Sequence, residues 1–166
     1  LSDHQTAIKL ACDGIYGAKS LYSEWTFSEP DDRAREMFAH LADRKQRHLE
    51  RLGEYVATGY RASSGGAVHD HLCSCTETAE RIGAGVLART LLERSTYECF
   101  LSNLELDAPT RDVFLEIKSD TETTLTDATD IVADYSDPKQ ATVRESCDET
   151  LQIGLEALRG SSGTGE

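Results

Sequence analysis

Residues 20–25 read Ser20-Leu21-Tyr22-Ser23-Glu24-Trp25, and residues 95–100 read Ser95-Thr96-Tyr97-Glu98-Cys99-Phe100. A second pair, Arg35-Glu36-Met37-Phe38 and Arg111-Asp112-Val113-Phe114, recurs at nearly the same offset, 75 residues for the first (20 to 95) and 76 for the second (35 to 111). Both matches fall in segments whose apolar residues recur at three- and four-residue steps, the period of an amphipathic helix. In the first half the inward stripes are Ile8, Ala11, Ile15, Ala18, Tyr22 and Trp25 over residues 3–26, then Ala34, Phe38, Leu41, Lys45, His48, Leu52 and Tyr55 on a helix running to about Gly59. In the second half they are Ile82, Val86, Thr90, Glu93, Tyr97, Phe100 and Leu104 over 76–103, then Val113, Phe114, Ile117, Thr121, Leu125, Ala128, Val132 and Tyr135 on a helix opened by Ala108 and Pro109. One helix pair used twice, joined by the long 59–75 segment, predicts an all-α antiparallel four-helix bundle with a long crossover. Asp137 and Pro138 open a fifth, C-terminal helix that Gly160 ends. The expected organisation is a single domain over 1–160 and a flexible tail over 161–166.

Local punctuation supports these bounds. Pro30, Asp31 and Asp32 suit a helix start, because proline lacks the amide hydrogen that a first turn leaves unused and aspartate favours the positive end of the helix dipole. Ser63, Ser64, Gly65 and Gly66 read as a flexible connection, and Ser74 with Glu77 as a capping box opening the third helix. The chain has 166 residues, 39% of them hydrophobic, enough for one core. Its formal net charge of -13 argues against nucleic acid or an anionic membrane as partner, since phosphates are repelled. No apolar run approaches the ~20 residues a bilayer span needs. Five cysteines, an odd number with four in or beside helix-like patterns, read as reduced thiols, and no signal segment is visible, so the expected location is the cytoplasm.

The segments Gly14-Ile15-Tyr16-Gly17-Ala18-Lys19-Ser20-Leu21-Tyr22 and Phe38-Ala39-His40-Leu41-Ala42-Asp43-Arg44-Lys45-Gln46-Arg47-His48 resemble the ferritin-like superfamily, nearest the rubrerythrin type. The resemblance covers the four bundle helices and implies a ferritin-like fold; ferritin-like bundles commonly pair, so it also implies a homodimer. In that family a glutamate from the first helix of each half and a Glu-x-x-His from the second hold two metal ions. Carried over by position, those ligands become Ile15, Lys45 and His48 in the first half and Thr90, Thr121 and Thr124 in the second. Only His48 is a usual ligand, isoleucine cannot coordinate, and a lysine ammonium repels a cation. Glu93, one turn past Thr90, matches an extra carboxylate of some rubrerythrins. The sequence therefore implies a degenerate diiron site, with no metal or other cofactor, and disfavours the family's oxidase activity.

A lysine and a glutamate on inward stripes need partners, because an unpaired buried charge costs several kcal/mol. The expectation is that Lys45 pairs with Glu93, a fixed positive charge standing where a metal stood. Two readings follow. In one, the pair fills an inherited polar hole and nothing more. In the other, Lys45, His48 and Glu93 are catalytic in a pocket lined by Ile15, Tyr22, Thr90, Tyr97, Thr121 and Thr124, with lysine or histidine as acid or base toward a small molecule. The alternatives are an inactive interaction protein and a residual rubrerythrin-type redox protein in which His48, Glu93 and Glu122 hold one ion. The run Thr121-Glu122-Thr123-Thr124 is poor in helix propensity, which argues for hydroxyls at the pocket. His69-Asp70-His71-Leu72-Cys73-Ser74-Cys75 crowds soft donors together without a usual zinc spacing and reads mainly as a polar loop. Cys12, Cys99 and Cys147 read as small core hydrophobes, and His40 as solvated.

Overall fold

The computed structural model describes residues 3–55 and 60–162, the side chains of 161 and 162 apart. It is all-helical, with no strand among the described residues. We number six helices: α1 (Asp3–Ser28), α2 (Asp32–Gly53), α3 (Ala67–Cys73), α4 (Thr78–Asn103), α5 (Ala108–Ala133) and α6 (Asp137–Ser162). The stretch Arg81–Ala88 of α4 is π-helical; the Arg89 N–H reaches back five residues to the carbonyl of Ala84. The chain divides into two compact units, one of residues 1–64 and 94–120, the other of 65–93 and 121–166, so α4 and α5 each contribute to both.

Helix starts are set by short acceptors. Asp31 Oδ1 accepts the Ala34 N–H at 2.8 Å, Asp107 Oδ1 the Thr110 N–H at 2.9 Å, and Ser136 Oγ the Lys139 N–H at 3.4 Å. Each satisfies an amide that the first turn otherwise leaves open. The box at the head of α4 sits one turn later than the sequence reading placed it. Glu77, not Ser74, is the cap, and its N–H donates to Glu80 Oε1 at 3.2 Å. Ser74 instead closes α3, its hydroxyl donating to the His71 carbonyl at 2.6 Å. Three further bounds are corrected. The polar loop before α4 contains α3, α2 ends at Gly53 rather than near Gly59, and α6 continues past Gly160 to Ser162. Residues 56–59, and 163–166 of the expected tail, lie outside the described residues.

The first unit holds the repeat. Tyr22, Trp25 and Phe38 pack ring against ring at 5.3–6.2 Å, and Tyr97, Phe100 and Phe114 do so at 5.2–6.0 Å. The two matched sequence pairs thus build the same aromatic triad twice, each triad tying a helix to the next across its turn. Around the second triad Ile8, Ile15, Leu52, Val113 and Ile117 are fully buried. Every α1 residue expected inward is at most 5% exposed.

The interior of the second unit sets small and hydroxyl side chains beside a few larger apolar ones, Leu72, Ile82, Ile131 and Val143. Ala84, Val86, Ala88, Thr90, Thr121, Thr124, Ala128 and Thr150 are buried there. Small residues let backbones approach, and α6 comes close enough to the π-helical stretch that a Cβ built on Gly83 would lie 2.2 Å from the Val143 carbonyl oxygen. Seven of the eight π-helical residues are buried, so this stretch has no solvent face to speak of. Arg81, itself buried, donates through Nε to the Cys75 carbonyl at 3.2 Å, closing the α3–α4 corner.

Two stability outcomes follow. Gly83→Ala must push backbone aside and lowers the unfolding free energy by about 1–3 kcal/mol. Gly14→Ala, where a Cβ meets nothing within 4 Å, raises it by up to about 1 kcal/mol. Urea unfolding of both variants checks this, and equal effects would refute the close approach. The second outcome concerns Asp107, whose carboxyl is held below its ordinary value of 3.8 by Thr110, the residue whose N–H it caps. A lowered folded pKa stabilises the fold above 3.8, and this is lost as pH falls through the lower folded value. Asp107→Ala should therefore reduce the melting temperature at pH 7 and match the parent protein in strong acid.

Candidate functional site

On α2 the inward stripe carries two ionisable side chains one turn apart. Lys45 is 5% exposed and His48 2%. Four apolar members of the same stripe, Ala34, Phe38, Leu41 and Leu52, bury it on either side. The helical period that drives Leu41 and Leu52 inward therefore also carries Lys45 and His48 into the first unit.

His48 meets a carboxylate there. Its Nε2 lies 2.7 Å from Asp120 Oδ2. An ionised carboxylate can only accept, so Nε2 is the donor of this bond. Asp120 thereby fixes the orientation of the imidazole. Its side chain is 32% exposed against 3% for that of His48, so the pair runs from the interior to the surface. Among the pocket-lining residues expected from sequence, Ile15, Tyr22 and Tyr97 are also buried in this unit.

The remaining expected residues belong to the second unit. Thr90, Thr121 and Thr124 are each at most 5% exposed. Glu122 and Thr123 between the last two face solvent, which explains the odd threonine run: its hydroxyls at 121 and 124 point inward and its middle does not. The Glu93 side chain is 7% exposed, and its Oε2 accepts from Arg89 Nη1 at 2.7 Å, one turn earlier on α4. A charge-assisted bond of this length inside a protein is among the stronger side-chain interactions.

Three participants were not singled out from sequence. Arg81 and Arg89 lie next to stripe positions 82 and 90, and a period alone does not distinguish a stripe residue from its neighbour. Asp120 follows Ile117 by three residues, and that spacing was the available signal. One residue is corrected. Cys99 is exposed rather than a core thiol, with the Asn103 amide 3.4 Å from its sulfur. Cys12 is buried as expected, Cys147 is half-buried, and His40 is exposed.

The dinuclear centre that the family resemblance implies does not fit this residue set. Its positions supply an isoleucine, a lysine, one histidine and three threonines. Among the described residues no three histidine, cysteine or acidic side chains are grouped to hold an ion. No helix among the described residues is long and apolar enough to cross a membrane. No family model matches the chain, and neither a curated protein nor a solved structure matches it.

Removal of the Asp120 carboxylate should be costly out of proportion to its partial exposure, because it strands the buried imidazole. Asp120→Ala is expected to lower stability by about 1–3 kcal/mol. Asp120→Asn, which still offers an acceptor oxygen, should lose less. Chemical denaturation of Asp120→Ala, His48→Ala and the double variant measures the coupling, with Asp120→Asn as the variant that keeps an acceptor.

Proposed function

We propose that the protein is a repurposed ferritin-like bundle that binds a small molecule and works on it by acid–base chemistry without a metal. The observation that carries this reading is the pair of ionisable side chains buried one turn apart on α2, with His48 held at 2.7 Å by Asp120. Burying such groups for stability alone is poorly rewarded, since apolar replacements of similar volume commonly leave a fold equally or more stable. In this reading the His48 imidazole is the base, and Asp120 stabilises the imidazolium that forms when it takes a proton. The half-exposed Asp120 carboxylate also lets the interior exchange that proton with solvent. Lys45 supplies a cation one turn away for a carboxylate or a polarised carbonyl on the ligand.

Two measurements test it. Elemental analysis of protein grown with excess iron, manganese and zinc should find no stoichiometric metal. About two iron or manganese ions per chain would overturn the metal-independent reading. Calorimetric titration with a panel of small carboxylates and carbonyl compounds (acetate, glycolate, pyruvate) should give saturable binding that Lys45→Met and His48→Gln abolish while circular dichroism stays unchanged. Binding that survives both substitutions would move the site elsewhere.

A further inference from the structure

The seven-residue α3 ends on an exposed cysteine, and its partner lies one turn back. Cys73 Sγ sits 3.5 Å from His69 Nε2. Sulfur and imidazole nitrogen at this separation are a nucleophile and a base within reach of one proton. The other four thiols are placed differently. Cys12 and Cys75 are buried, and burial pushes each thiol up to about 11. The Cys147 thiol is raised as well, chiefly by burial. Cys99 is exposed like Cys73, but the group beside its sulfur is the Asn103 amide, which can donate a proton and cannot take one.

We propose that Cys73 is a reversibly oxidised thiol whose substrates are hydrogen peroxide and then a low-molecular-weight thiol, with His69 as its general base. His69 Nε2 takes the thiol proton as sulfur attacks one peroxide oxygen. The O–O bond breaks, the departing hydroxide collects the proton from the imidazolium, and water leaves. Cys73 is oxidised by two electrons to the sulfenic acid, and the peroxide is reduced. An external thiol then attacks that sulfur, a second water departs, and a mixed disulfide remains.

Cys75, two residues along, does not serve as the resolving thiol. It is 4% exposed, and its thiol donates to the His71 carbonyl at 3.8 Å. Its raised pKa keeps it protonated and a poor attacker at neutral pH. The expected end product is therefore a mixed disulfide at Cys73 and not a Cys73–Cys75 bridge.

The chain carries its own control. Under limiting iodoacetamide at pH 7, peptide mapping should show Cys73 alkylated at least about tenfold faster than Cys99, a factor within the reach of general-base assistance. His69→Asn and His69→Gln should each bring Cys73 down to the Cys99 rate with the circular dichroism unchanged. Hydrogen peroxide followed by dimedone should label Cys73, and peroxide followed by glutathione should add one glutathione there. Equal rates at Cys73 and Cys99, or a Cys73 rate that both His69 variants leave intact, would overturn the base assignment. A Cys73–Cys75 disulfide in place of the glutathione adduct would overturn the proposed resolution.

Discussion

A helix that turns one face inward turns every residue of that face inward, charged or not, and the charged ones must then be satisfied by protein groups. This constraint shapes both units. Leu41 and Leu52 cannot be buried without Lys45 and His48, because all four share one stripe of α2. The buried imidazole finds the Asp120 carboxylate at 2.7 Å. On α4 the same constraint operates within one helix, where Arg89 reaches one turn forward to Glu93. Arg81 shows a third solution, a buried guanidinium that spends a hydrogen bond on a backbone carbonyl and thereby closes a corner. Each arrangement removes the cost of a stranded charge, which at several kcal/mol would rival a large share of a domain's net stability.

Most of the helical content was legible because period and punctuation agree. Ile8 through Trp25 and Ala34 through Leu52 follow one stripe each, and Asp31 and Asp107 cap where acidic residues precede an apolar run. The internal repeat was legible down to its contacts, since the matched tyrosine, aromatic and phenylalanine positions form corresponding triads. What periodicity cannot supply is pairing. It gives the direction of His48 but not the identity of Asp120, which lies far away in sequence. It also assumes an α-helical step, and the π-helical turn at Arg81–Ala88 breaks that step where Gly83 and Gly85 leave no side chain to mark a face. The α3 helix was missed for a related reason: seven residues are too few to show a period.

The two units solve the packing problem in opposite ways. The first fills space with rings, six of them in two triads, and a ring tolerates little change in its neighbours. The second brings backbones together at Gly83, and one of its buried hydroxyls, that of Thr150, donates to the Ser146 carbonyl of its own helix at 2.8 Å. A threonine that bonds back to its own helix needs no partner from elsewhere. Thr150 is thus a polar residue that a tight interior can hold at small cost, and it asks for no functional explanation.

Lys45 and His48 are different in kind. An ammonium and an imidazole cannot donate back to their own helix and be done, because each carries or acquires a full charge that the surrounding protein must answer. The resemblance to a metal-binding family sharpens the contrast. Where that family would place a carboxylate facing a cation, this chain has the cation on a covalent tether at 45. An ammonium can give up a proton but has no second oxidation state to offer, so it does not stand in for a redox metal. What positions 45 and 48 offer is a need for anionic partners and the proton traffic of a histidine. In the reading proposed above, that is the physical content of an acid–base site, and it makes His48 with Asp120 the place to test.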